Sequence, residues 1–284
     1  MIENKMKPTV GRRLFFLLKS LIFVYIVTLI LIITFVDRIA FFPLFAKRII
    51  ARPSDIGFKY ERSVAETADG AKLNCWYITC SETAETSMFV AHGNAENISA
   101  AMYQSAYVGN KLGVNIFLYD YRGYGESTGS PSIGNFYSDA ETAYNHFLNI
   151  AGVKKHKIII YGRSLGGAAA IHLASKFDCY RLITESTFSS ARNHVWYNKA
   201  LWVFYPFTPD YLPSMEKKAL VKAPWLIIHG ADDAEISVEN AYILFDSKGL
   251  STCRKYIVPG AGHNDLFMTA GPDAYCARIA EFLK

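Results

Sequence analysis

Ser164 lies in the run Gly162-Arg163-Ser164-Leu165-Gly166-Gly167, directly after the apolar residues Ile158, Ile159, Ile160 and Tyr161. A serine hydroxyl is a weak nucleophile at neutral pH. To attack a carbonyl it needs a base for its proton, an acid to hold that base, and N–H donors for the oxyanion. The local pattern provides the position: a buried strand runs into a G-x-S-x-G turn whose glycines tolerate a crowded backbone and lift the hydroxyl above the sheet. The following residues, Ala168-Ala169-Ala170-Ile171-His172-Leu173-Ala174, are small or apolar and lack proline, so they read as a helix packed closely on that sheet. The helix N-terminus adds partial positive charge where an oxyanion would form, with the backbone N–H of Leu165 as one expected donor.

The base must be one of seven histidines. His172 lies two turns along the elbow helix and faces away from Ser164. His146, His156 and His194 fall on helices or connections with no strand end nearby, and His92 and His229, each beside a glycine at a strand end, read as turn residues. His263 stands in Gly260-Ala261-Gly262-His263-Asn264-Asp265, a glycine-rich loop after the last expected strand that can swing an imidazole back over the sheet. The acid should end the preceding strand, where Trp225-Leu226-Ile227-Ile228-His229-Gly230 leads to Ala231-Asp232-Asp233. Either carboxylate could bond the imidazole while the other caps a helix, and Glu185, just past another strand end, is an outside candidate. A second oxyanion donor is expected from the backbone of Asn94 in His92-Gly93-Asn94, which otherwise is only a turn before a helix near Ser99 capped by Asn97. Asp120 and Arg122, in Asp120-Tyr121-Arg122-Gly123-Tyr124-Gly125, read as a buried charged scaffold tying loops together.

The elements that must position these groups alternate. Extended segments are expected at 58–64, 73–79, 88–91, 114–119, 158–161, 182–184, 225–228 and 255–258. From Met88 onward they are continuous apolar runs separated by helical stretches, which describes an α/β fold of about eight strands, mostly parallel, with helices on both faces. The first two segments, close together and alternating, read as an antiparallel hairpin at the edge. Between Thr184 and Pro224 the chain is longer than a simple crossover requires, and it carries Trp196, Tyr197, Trp202, Phe204, Tyr205, Phe207 and Tyr211. This short aromatic insertion is either a lid lining an apolar pocket over Ser164 or a pair of short helices that merely pack on the domain.

At 284 residues the chain accommodates one sizeable core and an appendage, divided here as an anchor and juxtamembrane segment at 1–50 and a catalytic domain at 51–284. Residues 20–36 are apolar apart from small hydroxyls and are about long enough to cross a bilayer. No small-residue cleavage site follows, and no polar face interrupts the run. Lys5, Lys7, Arg12, Arg13 and Lys19 precede it, which favours a single-pass helix with a cytosolic N-terminus and a catalytic domain on the non-cytosolic side. Phe41, Phe42 and Phe45 would then sit at the membrane interface, with Lys47, Arg48 and Arg52 at headgroup level. The net charge of +5 is partly accounted for by that basic cluster, and it argues for anionic lipid as a partner and against nucleic acid. Five cysteines, an odd number, do not form a disulfide framework; Cys75 and Cys80, expected on one strand, would be about 16 Å apart. No metal-ligand spacing and no cofactor motif is present.

Four motifs together carry a resemblance: His92-Gly93-Asn94-Ala95-Glu96-Asn97, Asp120-Tyr121-Arg122-Gly123-Tyr124-Gly125-Glu126-Ser127, Gly162-Arg163-Ser164-Leu165-Gly166-Gly167-Ala168 and Gly260-Ala261-Gly262-His263-Asn264-Asp265. From about Phe58 to the C-terminus the chain resembles the α/β-hydrolase domain-containing proteins, particularly their membrane-anchored, bud-emergence-type branch. The resemblance implies an α/β-hydrolase fold, and its Gly-x-x-Asp pattern lands on Asp233, making Ser164, Asp233 and His263 the expected triad in the chain order of that fold. Relatives of this kind include lipid hydrolases, depalmitoylases and serine aminopeptidase-like enzymes. The depalmitoylases carry a cysteine-rich, acylated N-terminus, whereas the first cysteine here is Cys75. The expectation is therefore a membrane-anchored serine hydrolase of apolar acyl esters or thioesters, with no cofactor and an acyl ester or lipid-like substrate. A peptidase and a non-catalytic membrane scaffold are the alternatives.

Overall fold

The computed structural model describes residues 10–150, 153–154, 157–246 and 252–284, apart from the side chains of Phe45 and Val203. Lys5, Lys7 and His156 lie outside the described residues. Eight strands, β1 (Lys59–Glu66), β2 (Lys72–Thr79), β3 (Ser87–Ala91), β4 (Asn115–Tyr119), β5 (Ile158–Arg163), β6 (Arg181–Glu185), β7 (Trp225–Gly230) and β8 (Cys253–Val258), form one sheet in the order β1-β2-β4-β3-β5-β6-β7-β8. All eight expected segments become strands, with ends shifted by two residues or fewer. β1 and β2 form the expected antiparallel edge hairpin, β2 meets β4 antiparallel, and every other pairing is parallel.

Helices α1 (Val10–Ala40), α2 (Ile98–Leu112), α3 (Ile133–Leu148), α4 (Leu165–Lys176), α5 (Ala191–Tyr197), α6 (Ser214–Lys218), α7 (Glu239–Phe245), α8 (Leu266–Thr269) and α9 (Pro272–Leu283) complete the chain. Strand alternation feeds two cores. In β3, Phe89 and Ala91 join one apolar cluster with Phe147 of α3 and Ala169 of α4, while Met88 and Val90 join the opposite cluster with Met102 of α2 and Ile279 of α9. That double coverage is why β3 and β7 are buried along their whole length and read as unbroken apolar runs. As the sequence indicates, Asn97 caps α2: its Oδ1 accepts from the N–H groups of Ser99 and Ala100.

The stretch between β6 and β7 folds as α5, a 3₁₀ helix at Trp202–Phe207, and α6. At the other end of the chain, α1 is long and apolar enough to cross a membrane. Residues 10–27 are exposed, but Thr28, Leu29, Ile32, Val36, Asp37 and Ala40 are partly covered along one helical face. Phe41 differs from the expected interfacial position: it is buried against Phe136, with ring centroids 5.6 Å apart, because the chain turns into the domain directly after α1. Arg52 likewise pairs with Glu126. All five cysteines are free thiols, and Cys80 falls one residue beyond β2.

Candidate active site

The turn after β5 brings two backbones closer than side chains allow. A Cβ on Gly162 would lie 2.3 Å from the carbonyl oxygen of Gly166, and one on Gly166 would lie 2.0 Å from that of Ala91. Between them Ser164 adopts φ 52° and ψ −118°, a strained conformation for a residue with a side chain. It is held by hydrogen bonds from its own N–H to the Glu185 carbonyl (2.8 Å) and from Thr187 Oγ1 to the Ser164 carbonyl (2.7 Å). The hydroxyl stands at the N-terminus of α4.

His263 reaches this hydroxyl across the sheet. Its Nε2 is 3.0 Å from Ser164 Oγ, and its Nδ1 is 2.8 Å from Asp233 Oδ2. Asp233 is buried just past β7, and its Oδ1 accepts from the N–H groups of Glu235 (3.0 Å) and Ile236 (2.7 Å). His229, which reads from the sequence as a turn residue, supports the same carboxylate: its Nε2 donates to the Ile236 carbonyl (2.7 Å) and lies 3.3 Å from Asp233 Oδ2. Burial alone would raise the Asp233 pKa, but the contacts from His229 and His263 and the Ile236 N–H outweigh it, and the carboxyl is held well below the usual carboxylate range. Beside an ionised Asp233, the His263 proton belongs on Nδ1, leaving Nε2 to accept from the serine hydroxyl. Asp232, by contrast, is exposed.

The loop after β3 turns through Ala95 at φ 58° and faces the same space, as do Asn94 and Leu165. The Asn94 side chain does something its sequence context does not reveal. Its Nδ2 donates to the Ala40 carbonyl (2.9 Å), and its Oδ1 accepts from the Phe42 N–H (3.1 Å) and the Tyr124 hydroxyl (2.6 Å), joining this loop to the end of α1. Arg163 connects the remaining loops. Its guanidinium donates to Glu96 Oε1 (3.0 Å) and Asn264 Oδ1 (2.8 Å), and its Nε lies 3.3 Å from Glu185 Oε1.

Other candidates fall elsewhere. Glu185 is buried beneath the elbow, where Tyr161 (2.8 Å), Gln104 (3.0 Å) and Tyr275 donate to it. Asp120 and Arg122 are both scaffolds but not partners of each other. Asp120 accepts from the Ile98 N–H (2.9 Å) and from Asn74, whereas Arg122 pairs with Asp69 and Asp139. His172 meets Glu141 and stacks on Tyr137, His146 meets Ser63, and His92 Nδ1 meets the Gly93 carbonyl. His194 does line the site, and burial followed by the nearby His263 lowers its pKa. Helical placement hid this in the sequence, since only the folding of α5 over the sheet brings it there.

Ser164 and His263 lie on the floor of a cavity of about 1130 Å³, larger than the roughly 300–1,000 Å³ usual for ligand pockets. The insertion contributes to both of its expected roles. Phe204 and Tyr211 line the cavity, while Trp196 packs on Trp202 and Tyr205 outside it. The opposite wall includes Ile32, Val36 and Ile39 of α1.

Comparison with known proteins agrees with this architecture. Residues 82–220 match a family model described as serine aminopeptidase, S33. Alpha/beta hydrolase domain-containing protein 17C of Xenopus laevis is 32% identical over 226 residues, covering 76% of this chain and 67% of the relative. The human protein 17B is 29% identical over 229 residues, covering 78% and 74% respectively. Among solved structures, the esterase Pf2001 of Pyrococcus furiosus shares the fold with a TM-score of 0.69 at 21% identity, over 84% of this chain and 96% of that one.

Proposed function

The chain belongs to the α/β-hydrolase domain-containing family, and from that membership we propose that it is a membrane-anchored serine hydrolase cleaving carboxylic esters or thioesters of apolar acyl groups. One observation carries the reading: an unbroken hydrogen-bonded chain from Ser164 through His263 to an ionised, buried Asp233, on the floor of a largely apolar cavity. Ser164 Oγ attacks the acyl carbonyl as His263 Nε2 takes its proton, while Asp233 holds the imidazole tautomer and stabilises the imidazolium. The tetrahedral oxyanion is received by the backbone N–H groups of Leu165 and Asn94, each worth roughly 10²- to 10³-fold in rate. The leaving alcohol or thiol departs with the proton from His263, and water repeats the sequence to release the acid. The apolar helix α1 spans the bilayer, with the basic N-terminal residues, Arg12, Arg13 and Lys19 among them, on the cytosolic side.

A fluorophosphonate probe should label the wild-type protein and leave Ser164→Ala unlabelled. An unreactive wild type, or a reactive Ser164→Ala, would overturn the mechanism. The description of the matched family model supports a second reading, a peptidase. That reading needs a carboxylate to hold a substrate amine, and Glu96, which lines the cavity, is already engaged by Arg163 and the Gly93 N–H. Turnover of aminoacyl-anilides without turnover of p-nitrophenyl acyl esters would favour it.

A further inference from the structure

A helix that served only as a tether would leave the catalytic domain at its first flexible residue. Helix α1 does not. Over its last four turns it lies against the domain: Tyr25 packs on Phe207 of the insertion with ring centroids 4.9 Å apart, and Asp37 Oδ1 accepts from the Ile133 N–H (2.8 Å). The Ala40 carbonyl accepts from the Asn94 side chain (2.9 Å). These contacts fix both the direction and the rotation of the helix. Its C-terminal end stands at the loop facing Ser164, and its partly covered face closes the cavity opposite Leu201 and Phe204. Ile39, Val36 and Ile32 follow one another along that wall away from the catalytic end, successive turns being about 5.4 Å apart. From Ser20 to Val27 the helix is largely exposed and apolar, and its outward face stays so through Ile30, Leu31, Ile33 and Phe35, which is the surface that lipid hydrocarbon would cover.

We propose that α1 is one wall of the acyl-binding site. The acyl chain of the substrate lies between α1 and the insertion, running from Ser164 past Val36 and then Ile32, so these two residues set the chain length accepted. This deepens the serine-hydrolase reading and rests on it for the identity of the bond cleaved. The occupant is a saturated or unsaturated hydrocarbon chain, because Ile32, Val36 and Ile39 offer it no hydrogen-bonding group and the exposed face of α1 beside them is apolar. Each methylene excluded from such a site weakens binding about four-fold.

The test uses the full-length protein in detergent micelles, with Val36→Trp, Ile32→Trp and, as a control, Ile33→Trp on the outward face, where Ile33 is 52% exposed. kcat/KM is measured for p-nitrophenyl esters of increasing chain length. Both wall variants should lower the ratio of long-chain to acetyl turnover by about ten-fold or more, with Val36→Trp cutting off at shorter chains than Ile32→Trp. Ile33→Trp should follow the wild-type profile. Affinity for a fluorescent long-chain fatty acid, measured on Ser164→Ala with and without each wall substitution, should fall in parallel and does not depend on turnover. Unchanged chain-length profiles and unchanged fatty-acid affinity in both wall variants would overturn the proposal while leaving the hydrolase reading intact. A wild type that binds the fatty acid in an α1-dependent way but cleaves no ester would instead overturn the hydrolase reading alone.

Discussion

Asp233 shows how much a single side chain can depend on a turn that folds back on it and on one neighbour distant in sequence. Its two oxygens meet two backbone N–H groups and two imidazoles, so its charge is compensated although no water reaches it. Asp233→Asn should keep the fold and reverse the His263 tautomer, lowering kcat on p-nitrophenyl acetate by about 10³- to 10⁴-fold. The same residue predicts a pH dependence. Because its native pKa lies below the unfolded value of about 3.9, the unfolded chain binds more protons in acid, and stability falls as pH falls. The Tm advantage of wild type over Asp233→Asn should therefore be complete at neutral pH and shrink as pH drops below about 4. Thermal unfolding followed by circular dichroism checks this, and a gap that widened in acid would contradict the assignment. The motif identified Asp233 through its resemblance, but nothing in the sequence pointed to His229 as its second support. A histidine four residues before a carboxylate acquires that role only when the turn after β7 folds back.

The elbow is legible at the scale of the element because its constraint is local. A serine between glycines, after an apolar strand and before a small-residue helix, has few other ways to fold, and the contacts of Gly162 and Gly166 supply the steric reason. Gly166→Ala drives a Cβ into the carbonyl of Ala91, which is backbone and cannot swing away. It should destabilise the protein by about 3 kcal/mol, the upper end of the usual overpacking cost. It should also impair turnover, because Ala91 leads directly into the loop that carries Asn94. Thermal unfolding and kcat measured together check both parts, and a variant with wild-type values for both would refute the account. The strands were equally legible, β3 to β7 as largely apolar runs bounded by polar turns and the edge hairpin β1–β2 by its alternation. The insertion was less so. Aromatic residues without a strict period serve a cavity wall or an outer packing layer equally well, and here Phe204 takes the first role and Trp196 the second.

For the whole molecule, the sidedness we propose rests on charge. The basic residues Arg12, Arg13 and Lys19 lie before the apolar run, and a helix that crosses the bilayer in that orientation delivers the catalytic domain to the non-cytosolic side. In sealed microsomes, protease added outside should leave the domain intact until detergent is supplied; digestion without detergent would reverse the topology. By itself the sequence determined the α/β order of elements, the elbow around Ser164, the histidine loop and the apolar length of α1, because each depends on residues near one another along the chain. Tertiary structure alone decided that His229 and His263 share one carboxylate, that Arg163 links Glu96, Glu185 and Asn264, that His194 faces the cavity, and that α1 closes its wall through Asn94. Apart from His229 and Asp233, which one turn folds together, those contacts join residues from about twenty to about a hundred positions apart. No local periodicity encodes such pairings, and they exist only once the sheet has placed the ends of its strands side by side.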